Sequence, residues 1–212
     1  HAPKLSSDHV DPRFLHAVYI EAPSLAFDRV RLELVHMGET VVRMLEVARQ
    51  AALFGSEGEL RKLEALDDDV DRLHEAILHY LGRVGREELT TTEAKRLEVL
   101  CLVANYLENS GDLMETNVVA QGTQRLERNI EFPKTELAGL DGFVRNAMRD
   151  ALKALAERDT QLAASVINRQ SDMDDLVNQA MGHISRELID GGEDALQSFR
   201  IQSDLIGVEK RL

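Results

Sequence analysis

The sequence predicts an all-α protein of six long helices, arranged as two tandem three-helix units. Three observations carry this expectation. Aromatic residues make up only 4% of the 212 and Trp is absent, while Leu, Ala, Glu, Arg and Met fill the long segments, so local propensity favours helix nearly everywhere. Apolar residues recur at spacings of three and four along each long segment. Glycines and a few prolines punctuate the gaps between them.

Residues 1–22 hold Pro3, Pro12 and a Ser-Ser-Asp cluster with no sustained period, which reads as an extended lead-in or linker. Helix one follows Pro23, carries Leu34, Met37, Val41, Met44, Ala48 and Ala52, and stops at Gly55. Helix two has the cleanest seam: Leu63, Leu66, Val70, Leu73, Ile77 and Leu81, ending at Gly82 and Gly85. Thr90 to Thr92 followed by Glu93 offer an N-cap and first-turn charge to helix three, whose seam is Leu97, Leu100, Ala104, Leu107, Gly111, Met114 and Val118. A break at Glu131-Phe132-Pro133, with Gly139 and Gly142 beyond, separates a first unit of about 23–130 from a second of about 134–212. Val144, Met148, Ala151 and Leu155 mark helix four; Val166, Met173, Val177, Ala180 and Ile184 mark helix five; Phe199, Leu205 and Ile206 follow the Gly191-Gly192 turn on helix six. A duplicated domain fits this plan better than a solenoid of short repeats.

Composition narrows the function. At 43% hydrophobic and 30% charged the chain can bury a substantial core. A net charge of −13 and no basic stripe interleaved with aromatics disfavour a nucleic-acid partner. Cys101 sits in the apolar run from Val99 to Ala104 and reads as a small buried hydrophobe. No run of 18 apolar residues occurs, so no membrane span is expected in this chain, although its start at His1 suggests a piece of something longer. Neither a Gly-rich phosphate loop, a His-Glu-x-x-His pair nor a nucleophile elbow is present, which argues against an enzyme.

An acidic stripe stands out. Helix two carries Glu64, Asp67, Asp68, Asp71 and Glu75, and helix three carries Glu108, Asp112 and Glu115. Most of them follow a seam residue by one position, about 100° of rotation, so they border the core. Residues at one height in an antiparallel hairpin are equidistant from its turn. Asp71 and Asp112 are centred on Thr91 and Thr92 and should sit level, as should Glu75 and Glu108. Carboxylates brought together at a core edge repel unless a cation or a proton lies between them, and oxygen-only donors suit iron, manganese, magnesium or calcium. The bland alternative is a solvated acidic face balanced by Lys62, Arg72 and Arg96. Glu33 and His36 form a single Glu-x-x-His pair where a di-iron enzyme needs two, so His36 reads better as an exposed residue near a helix end.

The run Leu107-Glu108-Asn109-Ser110-Gly111-Asp112, together with Asp67-Asp68-Asp69-Val70-Asp71 on helix two, resembles the paired acidic motifs of the PhoU family. Asp11-Pro12-Arg13-Phe14-Leu15, then Ala22-Pro23-Ser24-Leu25-Ala26 and Met37-Gly38, is similar to the junction where bacterial sodium/phosphate cotransporters enter a PhoU-like tail. The resemblance implies a PhoU-like domain over 23–212, regulating phosphate transport on the cytoplasmic side of the bacterial inner membrane. It also implies a partner in the transmembrane part of the parent transporter, with a homodimer allowed. Iron or another divalent metal would carry over to Asp67, Asp71, Glu108 and Asp112, with Glu64, Asp68, Glu75 and Glu115 as further candidates. In the second unit Asp174 and Asp204 align with Asp71 and Asp112 but have Gln170 and Arg200 as motif partners, which suggests a degenerate site where Arg200 replaces the cation. The alternatives are a free-standing PhoU-like regulator and a metal-free helical scaffold.

Overall fold

The computed structural model describes residues 10–54, 57–128, 136–190 and 195–212, and among these every regular element is helical. A 3₁₀ turn, Ala17–Tyr19, precedes α1 (Pro23–Phe54), α2 (Glu57–Val84), α3 (Thr91–Arg128), α4 (Glu136–Glu157), α5 (Thr160–Ile167), α6 (Gln170–Asp190) and α7 (Ala195–Arg211). The six expected long helices are present, and α5 is an addition. The expected stop at Gly55, the break at 131–133 and the turn at Gly191-Gly192 lie outside the described residues.

The first unit is α1, α2 and α3 packed mutually; in the second, α4, α6 and α7 pack together. The two units meet along α1 with α4 and along α3 with α7. The seams read from the sequence become the core: Leu34, Met37, Val41 and Met44 of α1 face Leu63, Val70, Leu73 and Ile77 of α2, all fully buried. Gly38 brings the two units close, since a Cβ there would fall 2.2 Å from Leu152 Cδ2 on α4. At the turn before α3, Thr90 Oγ1 accepts from the Glu93 amide at 3.3 Å while Glu93 Oε2 accepts from the Thr90 amide at 3.0 Å, a reciprocal capping box.

Four expectations need correction. Gly82 lies within α2, and Gly139 and Gly142 within α4, because helix interiors tolerate glycine at about 1 kcal/mol each when packing is favourable. The expected helix five is divided: Val166 belongs to α5 and Met173 to Ile184 belong to α6. The division falls at Asn168 and Arg169; between α4 and α5, Arg158 adopts a left-handed φ of 57°, the Asp159 amide donates to Ala154 O at 2.9 Å, and Asp159 caps α5 by accepting from the Gln161 and Leu162 amides.

The stretch 10–22 is a strap on the bundle. Ile20 enters the core, Tyr80 Oη donates to His16 O at 3.0 Å, and Glu33 Oε2 accepts from the Arg13 and Phe14 amides at 2.9 and 2.6 Å. His36, the fourth correction, is therefore no exposed end residue: it is buried in α1 with Nδ1 2.8 Å from Glu33 Oε1. An unpaired carboxylate at Glu33 would be costly in this core, and these donors satisfy it.

Candidate metal centre between the second and third helices

The acidic run of α2 fans out by 100° per residue, and each aspartate meets a different environment. Asp69 turns inward, where its Oδ1 accepts from the Val10 amide at 3.2 Å and pairs with Arg72. Asp68 is exposed. Asp67 and Asp71, four apart, share the face toward α3, from which Asp112 projects. One carboxylate oxygen from each of Asp67, Asp71 and Asp112 lies within 4.8 Å of the others.

Gly111 makes the close approach of Asp67 feasible. A Cβ at 111 would fall 2.9 Å from Asp67 Oδ1, 3.4 Å from Val70 Cγ1 and 3.6 Å from Met44 Sδ. Asp67 Oδ1 is itself buried and accepts no hydrogen bond. Burial first, then the charges of Asp71, Asp112, Glu115 and Asp68, push the Asp67 carboxyl up to about 7. The Asp71 carboxyl is also raised, by burial and then by Asp112 and Asp68, with His74 acting in the opposite direction. Three carboxylates with one buried orphan oxygen, packed against a glycine, form a donor set that fits a hard or borderline divalent cation.

The other expected residues are placed differently. Glu108 stays outside the three-carboxylate group, because it stands one turn before Asp112 and so lies level with the His74 and Glu75 region. At that level His74 Nε2 is 2.9 Å from Asn105 Oδ1, a contact the acidic pattern gave no reason to expect. Glu115 and Asp68 act on Asp67 through their charge, while Glu64 and Glu75 are exposed.

The expected pairing in the second unit is corrected. Lys210 Nζ stands 3.2 Å from Asp174 Oδ1, and Gln121 of α3 donates to Asp204 Oδ2 at 2.7 Å; Arg200 takes part in neither contact. Midway between 174 and 210 is 192, three residues beyond the expected centre at 189, because α6 continues through Ile189 to Asp190. That shift moves Asp174 and Asp204 off a common level.

Comparison with known proteins bears on the same span. Residues 34–118 match the PhoU domain family model. The matched stretch contains Asp67, Asp71, Gly111 and Asp112. A crystal structure of PhoU from Pseudomonas aeruginosa superposes with a TM-score of 0.78 at 20% sequence identity, covering 86% of this chain and 87% of that one, which shows that the fold is PhoU-like. In sequence, the chain is 30% identical over 107 residues to YjbB of Salmonella typhimurium and 28% identical over 104 residues to YjbB of Escherichia coli K12, proteins named for inorganic phosphate export. These matches cover 50% and 49% of this chain but only 20% and 19% of the relatives, so the chain spans about a fifth of their length. Among the described residues no helix is long and apolar enough to cross a membrane.

Proposed function

We propose that this chain is a PhoU-like regulator of phosphate transport that acts by docking and cation binding and catalyses no reaction of its own. The observation that carries the reading is the coincidence of the PhoU domain match with the Asp67–Asp71–Asp112 group at the α2–α3 seam. The relatives named for phosphate export support the transport context. Asp67, Asp71 and Asp112 would hold the cation, which would neutralise their mutual repulsion and clamp α2 to α3. Gly111 keeps the Asp67 carboxylate against the α3 backbone, and Val70 and Met44 form the apolar floor beneath it.

Two forms of this regulator are supported by different observations. The extent of the likeness to PhoU, 87% of that chain, favours a free-standing regulator at least as well as a transporter-attached domain. Attachment to a sodium/phosphate cotransporter-like membrane part, on the cytoplasmic side of the inner membrane, is the second form, supported by the match to a fifth of longer phosphate-export proteins. Phosphate uptake measured in the native host separates regulation from scaffolding. Asp112→Asn should change how uptake responds to external phosphate while leaving transport itself in place, and Asp204→Asn should not. Identical uptake responses in Asp112→Asn and wild type would contradict the reading.

A further inference from the structure

Where the two units meet, three arginines converge. Arg31 of α1, Arg96 of α3 and Arg158 at the end of α4 line a cleft of about 340 Å³ whose other walls are Val99, Leu100 and Leu155. Asp28 pairs with two of these guanidinium groups, its Oδ1 accepting from Arg96 at 2.6 Å and from Arg158, and Asp28 is not part of the lining. Burial alone would raise the Asp28 carboxyl, but the hydrogen bonds from Arg96 and Arg158 bring it below its ordinary value. Of the other acidic groups nearby, Glu93 accepts from Thr90 and Ser24 and also acts on Arg96 through its charge, and Asp159 accepts from the amides that open α5.

Arg31 is held by backbone carbonyls. Its Nη1 donates to Leu155 O at 3.1 Å and to Ala156 O, carbonyls in the last turn of α4, while its Nε is buried and has no partner. Arg158 occupies the left-handed position that closes α4, where glycine would be cheaper by about 1 kcal/mol. A backbone strained to accommodate an arginine, beside a second guanidinium with an unsatisfied buried N–H, is the kind of local cost that functional sites carry.

We propose that this cleft binds a phosphoryl oxyanion. Three converging guanidinium forks present paired N–H donors to its oxygens, and the apolar wall leaves room for a small substituent on the phosphoryl group. The site lies outside residues 34–118 as regards Arg31 and Arg158, and it does not depend on the carboxylate group at the α2–α3 seam.

Calorimetric titration of the whole chain with inorganic phosphate, and separately with glycerol phosphate, tests the site in a low-chloride buffer. Saturable binding of either ligand at millimolar concentration or below is expected, and the tighter of the two identifies free phosphate or a phosphorylated metabolite as the source. Arg158→Gly relieves the strained backbone, so it should keep or raise the melting temperature while weakening binding at least tenfold; Arg96→Gln should weaken it similarly. Absence of saturable binding to both ligands in wild type, or undiminished binding in Arg158→Gly, would overturn the proposal.

Discussion

Glu209 shows how a single buried acid sets a pH dependence. Burial first, then the charge of Asp141, raises its carboxyl to about 8, and Arg145 only partly offsets them. The folded chain therefore retains a proton that the unfolded chain releases near its ordinary value of 4.5. Stability from this group is fully present below about pH 4.5 and is lost as pH rises through about 8. Glu209→Gln should remove that downward slope and melt a few degrees (roughly 2–6 °C) above wild type at pH 8.5, as thermal denaturation at a series of pH values will show. A second residue-scale expectation concerns Glu33, which satisfies two strap amides and His36. Glu33→Ala orphans those groups and should destabilise the fold by about 2–4 kcal/mol. Hydrogen exchange at Arg13 and Phe14 should quicken in that variant; unchanged protection would mean the strap is held by other contacts.

Between elements, closeness of approach decides what is tolerated. Gly38 lets α1 and α4 touch, and Gly38→Ala should cost about 1–3 kcal/mol, because the new methyl must displace the end of the buried Leu152 side chain. Urea denaturation measures this directly, and a neutral outcome would show that Leu152 can rotate aside. Hairpin register explains which parts of the site could be read from sequence. The α2–α3 connection is short and pinned by the Thr90–Glu93 capping box, so counting outward from it placed Asp71 and Asp112 together correctly. For α6–α7 the same counting failed, because α6 extends through Ile189 and the centre shifts to 192. The α5–α6 break was hidden because Val166 keeps the apolar spacing of the following helix, while the chain leaves the helix at Asn168 and Arg169 between them.

At the scale of the whole molecule, the amphipathic seams carried the all-helical, two-unit architecture, because they bury the same residues whichever exact helix ends are chosen. The strap escaped notice, since Pro3, Pro12 and an irregular pattern look like a linker until Glu33, Asp69 and Tyr80 reach out to it. The arginine cleft was likewise invisible: Arg31, Arg96 and Arg158 are far apart in sequence and converge only when α1 packs against both α3 and α4. One bundle thus carries an acidic centre on the α2–α3 seam and an arginine-lined cleft where α1 packs against α3 and α4. Titration calorimetry with manganese, together with metal analysis, on wild type, Asp112→Asn and Asp204→Asn tests the acidic centre most directly. Binding by wild type and Asp204→Asn, with at least a tenfold loss in Asp112→Asn, is the expected result; equal loss in both variants, or no binding by wild type, would contradict a divalent-cation site at Asp67, Asp71 and Asp112.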